Sequence, residues 1–100
     1  MGLLDGKAAI VTGSSRGIGA EVAKYLAAEG AGVVVNYRQK APRANKVVTG
    51  IENDGGRAVA VGADLTSSEG PAALVAAAAE NFGGLDVLVL NASGGMETGV

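Results

Sequence analysis

The sequence predicts an α/β fold: a doubly wound parallel sheet with helices on both faces, making three layers. Three observations lead there. Short Val- and Ala-rich runs alternate with longer segments of helical spacing. The runs are continuously apolar, as suits strands covered on both faces. Strands separated by helices of this length pair in parallel, through right-handed crossovers.

The first strand is Ala8-Ala9-Ile10-Val11, ending at Thr12-Gly13. After a glycine-rich turn, Ile18, Val22 and Leu26 recur at intervals of four, with Ala23 and Ala27 widening the stripe. This is an amphipathic helix, and Gly30 stands where a glycine stop is expected. Val33-Val34-Val35 forms the second strand and leaves through Asn36-Tyr37-Arg38. Ala44, Val47, Val48 and Ile51 make one helix face, ended by Asn53-Asp54-Gly55-Gly56. Ala58-Val59-Ala60-Val61 is the third strand. Thr66 and Glu69 have the spacing of a capping box, and Pro71 suits a first helical turn. Leu74, Val75, Ala78, Ala79 and Phe82 are expected to be that helix's buried face. Gly83-Gly84 breaks it, and Val87-Leu88-Val89-Leu90 is the fourth strand.

In a sheet of order 3-2-1-4 the fourth strand lies at an open edge. It carries no charge or proline to protect it. The expectation is that further strands follow, making residues 1–100 the front part of one larger domain. Pairing of this edge across two chains is the alternative.

Composition excludes several functions. Cysteine and histidine are absent, which removes thiol chemistry, a disulfide framework and the usual metal ligands. No metal site is expected. A net charge of −2 argues against nucleic acid and anionic membranes as partners. No apolar stretch approaches the roughly 18–20 residues of a membrane span, and no secretory signal is visible. The expected location is the cytoplasm.

The chemistry concentrates at Thr12-Gly13-Ser14-Ser15-Arg16-Gly17-Ile18-Gly19. Glycines there allow a tight turn and close approach of a ligand. A helix start offers free N–H groups and partial positive charge, which suit a pyrophosphate. The whole bend, Thr12 to Gly19, is expected to aim bare amide hydrogens at it. No Gly-Lys-Ser/Thr closes the turn, so it is not a P-loop.

Thr12-Gly13-x-x-x-Gly17-Ile18-Gly19 resembles the cofactor motif of the short-chain dehydrogenases/reductases, a Rossmann-type family. Ala63-Asp64-Leu65 and Leu90-Asn91-Ala92-Ser93-Gly94 are similar to two further landmarks of that family. The last departs from the usual Asn-Asn-Ala-Gly at Leu90 and Ser93. The resemblance runs from Lys7 to the end and implies that only the first four strands of the sheet are present. It implies cofactor contacts from Gly13, Ser15, Arg16, Gly17, Ile18 and Gly19, and from Tyr37 and Arg38 after the second strand. It also implies contacts from Asp64, facing the adenine amino group, Leu65, Asn91, Ala92 and Ser93.

Enzymes selecting NAD carry Asp or Glu after the second strand, to bind the ribose 2′-hydroxyl. The corresponding position here is Tyr37, followed by Arg38. With no carboxylate to repel a 2′-phosphate, and with Arg16 and Arg38 to pair with it, NADP is the expected cofactor. The implied reaction is hydride transfer between NADP(H) and a small-molecule carbonyl or alcohol. The family also suggests a homo-oligomer, often a tetramer. Its catalytic Ser and Tyr-x-x-x-Lys are not found in this chain, so no catalytic residue is named and this portion alone is expected to be inactive. Two alternatives stand beside the enzyme: a non-catalytic NADP-binding module for redox sensing or scaffolding, and a site for an adenine nucleotide without nicotinamide. Lys24 and Lys46 read as solvated helix faces, and Asp86 as structural, at the amino end of the sheet.

Overall fold

A computed structural model of the chain describes residues 2–14, 17–39 and 41–91. The elements alternate as expected: β1 (Ala8–Val11), α1 (Gly17–Ala28), β2 (Gly32–Tyr37), α2 (Ala41–Asn53), β3 (Arg57–Gly62), α3 (Gly70–Phe82) and β4 (Val87–Val89). All strand pairs are parallel, in the order β3-β2-β1-β4. Ile10 in β1 stands opposite Val34 on one side and Leu88 on the other.

The two-residue period of the strands sorts their side chains between two cores. Ala9, Val11, Val33 and Val35 face α1 and α2, while Ile10 and Val34 face Leu74 and Ala78 of α3. Every residue of β1 is buried. Asp86 closes the amino end: its carboxylate accepts from the Ala8 N–H at 2.9 Å, and its own N–H donates to the Ala8 carbonyl at 2.9 Å. That is the structural role expected of it.

Three details differ from the sequence reading. First, the buried face of α1 is Gly19, Ala20, Ala23 and Ala27. Ile18 is 76% exposed, and Val22 and Leu26 pack only partly against the core. The helix starts so near the turn that a Cβ at Gly19 would stand 2.5 Å from the Gly13 oxygen, and small side chains fill its buried row. Second, Thr66 and Glu69 form no capping box. The Thr66 hydroxyl is committed to Asp64, the Glu69 side chain makes no cap bond, and Ser67 Oγ accepts the Gly70 N–H at 3.0 Å instead. Third, Val75 and Ala79 are exposed, because α3 seats on the sheet through the narrow row of Leu74 and Ala78.

At the open edge, β4 leaves Leu88 54% exposed. No helix among the described residues is long and apolar enough to cross a membrane.

Two glycines separate packing from propensity. A Cβ on Gly32 would run into the Phe82 ring, whereas Gly50, inside α2, has nothing within 4 Å. Gly50→Ala is expected to raise stability by about 0.5–1 kcal/mol, through reduced backbone entropy. Gly32→Ala is expected to lower it by about 1–3 kcal/mol, through overpacking. Urea midpoints of the two variants beside the parent check both signs.

Candidate functional site

In a parallel sheet the carboxyl ends of all strands share one edge. Here that edge carries Thr12 after β1, Arg38 after β2, Ala63 and Asp64 after β3, and Asn91 near the end of β4. The strand order reverses between β1 and β4, since the chain builds β2 and β3 on one side and β4 on the other. A crevice at such a switch point is where open α/β sheets take ligands.

The turn after β1 is built in two halves. In the first half, every available donor is spent inside the protein. Gly13, at φ +60°, donates its N–H to Asn36 Oδ1 at 2.9 Å. Ser14 donates its N–H to the Asn36 carbonyl at 3.1 Å, and its buried hydroxyl donates to the Val11 carbonyl at 2.6 Å. The same hydroxyl accepts the Asn36 N–H at 2.9 Å. Thr12 Oγ1 accepts the Asn91 N–H at 2.8 Å, and Asn91 Nδ2 donates to the Gly13 carbonyl at 3.2 Å. The expectation that the entire bend bares its amides is therefore corrected. A buried N–H left unpaired is costly, so Gly13 and Ser14 are satisfied internally.

The second half begins with Gly17, at φ +62°. The first N–H groups of a helix have no carbonyl one turn earlier. Among the described residues, the N–H groups of Gly17, Ile18 and Gly19 have no partner. A Cβ on Gly19 would stand 2.5 Å from the Gly13 carbonyl oxygen and 2.8 Å from Asn91 Nδ2. Glycine there lets the helix start close on the turn. Clustered free amides at a helix's positive end suit an anionic bridge such as a diphosphate, so the residues present fit a dinucleotide.

Tyr37 is half-buried, its ring 2.9 Å from where a Cβ on Gly62 would stand, and Arg38 is exposed. Asp64 and Leu65 are exposed. One oxygen of Asp64 is already engaged: Oδ1 accepts from the Thr66 hydroxyl at 2.6 Å and from the Thr66 N–H at 2.9 Å. These bonds, the hydroxyl's first, hold the Asp64 carboxyl below its ordinary range, with a smaller pull from the Arg38 charge. Lost hydration acts weakly the other way. Oδ2 makes no hydrogen bond among the described residues. Ser15, Arg16, Ala92 and Ser93 lie outside the described residues.

An open groove between α1 and α2, lined in part by Val22, Tyr25, Arg43 and Lys46, touches this site only at Gly17 and Ile18. Among the described residues no group of three His, Cys, Asp or Glu side chains could hold a metal.

The sequence reading overlooked Asn36. It is 4% exposed and stands at the centre of the turn's hydrogen bonds. The available signal was an amide side chain closing a run of three valines in a buried strand. Such a group needs partners.

A family model described as short chain dehydrogenase matches residues 7–100. An uncharacterized oxidoreductase of Methylorubrum extorquens is 52% identical over 91 residues, covering 91% of this chain and 37% of the relative. The crystal structure of a dehydrogenase/reductase from Sinorhizobium meliloti superposes with TM-score 0.86 at 52% identity, over 89% of this chain and 35% of that one. A short chain dehydrogenase from Burkholderia cenocepacia, in complex with NADP, gives TM-score 0.83 at 54% identity, over 89% of this chain and 36% of that one. The chain thus spans about a third of the length of the proteins it matches. It belongs to the short-chain dehydrogenase family.

The Asp64 turn has a measurable acid-side signature. A carboxylate whose folded-state pKa is depressed contributes stability above its unfolded value, and that contribution is lost as pH falls through the folded value. The Asp64 carboxyl carbon, followed by NMR, is expected to titrate below an ordinary aspartate. In Thr66→Val, which removes the hydroxyl donor, its midpoint is expected to move up. A midpoint at the ordinary value in both proteins would mean that the turn bonds do not form.

Proposed function

We propose that this chain is the cofactor-binding part of an oxidoreductase that moves a hydride between NADP(H) and a carbonyl or alcohol carbon of a small molecule. The observation that carries the reading is the trio of amides at Gly17, Ile18 and Gly19, which have no partner among the described residues and lie at the switch point of the sheet. The nicotinamide supplies or takes the hydride, and the protein's task in this region is to bind and orient it.

The turn residues Gly13, Ser15, Gly17, Ile18 and Gly19 would hold the diphosphate, and Arg16 would join Arg38 at the 2′-phosphate. Gly13 acts through its backbone shape, since its N–H is taken. Tyr37 and Arg38 would face the 2′-phosphate, Asp64 and Leu65 the adenine, and Asn91, Ala92 and Ser93 the nicotinamide side. Support for NADP over NAD is local: position 37 is Tyr rather than a carboxylate, and Arg38 follows it. The NADP bound to the Burkholderia cenocepacia protein, 54% identical over the matched part, agrees.

The proton donor of the reaction is not among these residues, so residues 1–100 alone would bind but not turn over. The partly exposed apolar strand β4 supports reading them as part of a longer domain. The whole protein would act on small molecules in the cytoplasm, as a homo-oligomer.

The test is Arg38→Glu in the intact protein, with NADP and NAD titrated separately. A charge-assisted hydrogen bond contributes about 1.5–3 kcal/mol, or roughly ten- to a hundredfold in affinity. NADP binding is expected to weaken by at least that factor and NAD binding far less. An unchanged ratio removes Arg38 from the 2′-phosphate.

A further inference from the structure

We propose that Asn36 is a positioning residue of this site. Its buried amide ties the glycine-rich turn to the end of β3, and so sets the spacing between the diphosphate amides and Asp64. The inference rests on the cofactor reading above and adds a residue to it.

Asn36 is the last residue but one of β2, between the two segments it joins. On one side, Oδ1 accepts the Gly13 N–H at 2.9 Å. On the other, the two hydrogens of Nδ2 are shared among the carbonyls of Tyr37 at 3.2 Å, Ala63 at 3.3 Å and Val61 at 3.5 Å. Its backbone adds two bonds to Ser14. Among the described residues, no other side chain hydrogen-bonds both the turn and the segment leading into Asp64.

The amide is chemically required. It accepts at one end and donates twice at the other. A leucine of similar size would leave the Gly13 N–H and the Ala63 carbonyl without their partner. An aspartate would turn an acceptor toward three carbonyl oxygens. Ala63 immediately precedes Asp64, and its N–H also donates to the Tyr37 carbonyl at 3.0 Å. The Asp64 backbone is therefore referenced to β2 through this junction.

The experiment is a double-mutant cycle in the intact protein, read as the dissociation constant for NADP. Its members are the parent, Asn36→Leu, Asp64→Asn and the double variant. Asp64→Asn keeps an oxygen for Thr66 but removes the carboxylate from the adenine side. In the parent background that change is expected to weaken NADP about tenfold, the low end for a charge-assisted bond. In the Asn36→Leu background it is expected to cost less than threefold, because the residue is no longer held in place. A merely structural Asn36 would lower the melting temperature and leave the two factors equal, which overturns the proposal. So does Asp64→Asn without effect in the parent. If Asn36→Leu does not fold, Asn36→Ser enters the same cycle under the same criterion. A parent that fails to bind NADP overturns the cofactor reading itself, and this proposal with it; equal factors in a parent that binds overturn this proposal alone.

Discussion

The helix that follows the first strand has to start almost in contact with the turn that delivers it. At Gly19 there is no room for a single carbon, since a Cβ would stand 2.5 Å from the Gly13 oxygen. That closeness dictates what surrounds it. Gly19, Ala20, Ala23 and Ala27 are the buried residues of α1, so its closest contact with β1 and β2 is made by small side chains, with Val22 and Leu26 packing at its margin. It also brings the positive end of the helix to the carboxyl edge of the strands. A larger residue at the contact would lift the helix, open the core and move the amides away from the crevice together.

The same closeness divides the turn's polar groups. Ser14 and Asn36 are buried polar residues that meet at the ends of β1 and β2, and buried Thr12 bonds across to Asn91 after β4. Among the described residues, no buried side-chain polar atom lacks a partner. A network so fully satisfied is rigid, because each alternative arrangement would strand a donor or acceptor in low dielectric. The rigid half, Gly13 and Ser14, supports the half whose amides have no partner among the described residues. The charged groups of the site, Arg38 and Asp64, stay exposed at its rim, where ionisation costs little.

Much of this was legible in the residues. Unalternated runs such as Val33-Val34-Val35 announced strands buried on both sides, and the glycine spacing from Gly13 to Gly19 announced the turn. The failures share one cause: pattern reading counts apolar residues but not the distance between layers. Ile18 fits a helical stripe by spacing, yet the real contact face is made of alanines, because the gap is narrow. Val75 and Ala79 fit a stripe too wide for α3, which touches the sheet along one row. Hydrogen-bond competition was equally invisible. Thr66 was free to cap a helix on paper, but Asp64, two residues away, takes its hydroxyl. Asn36 escaped notice because its partners outside β2 come from two separate segments, the turn after β1 and the end of β3, which only folding brings together.

The division of the turn into a satisfied half and an open half can be observed directly. Amide hydrogen exchange of the intact protein, followed residue by residue with and without NADP, reads both halves at once. Gly13 and Ser14 should be protected in either state, and Gly17, Ile18 and Gly19 should become protected only when the dinucleotide is added. Exchange at those three positions that is unchanged by a saturating dinucleotide would contradict the account.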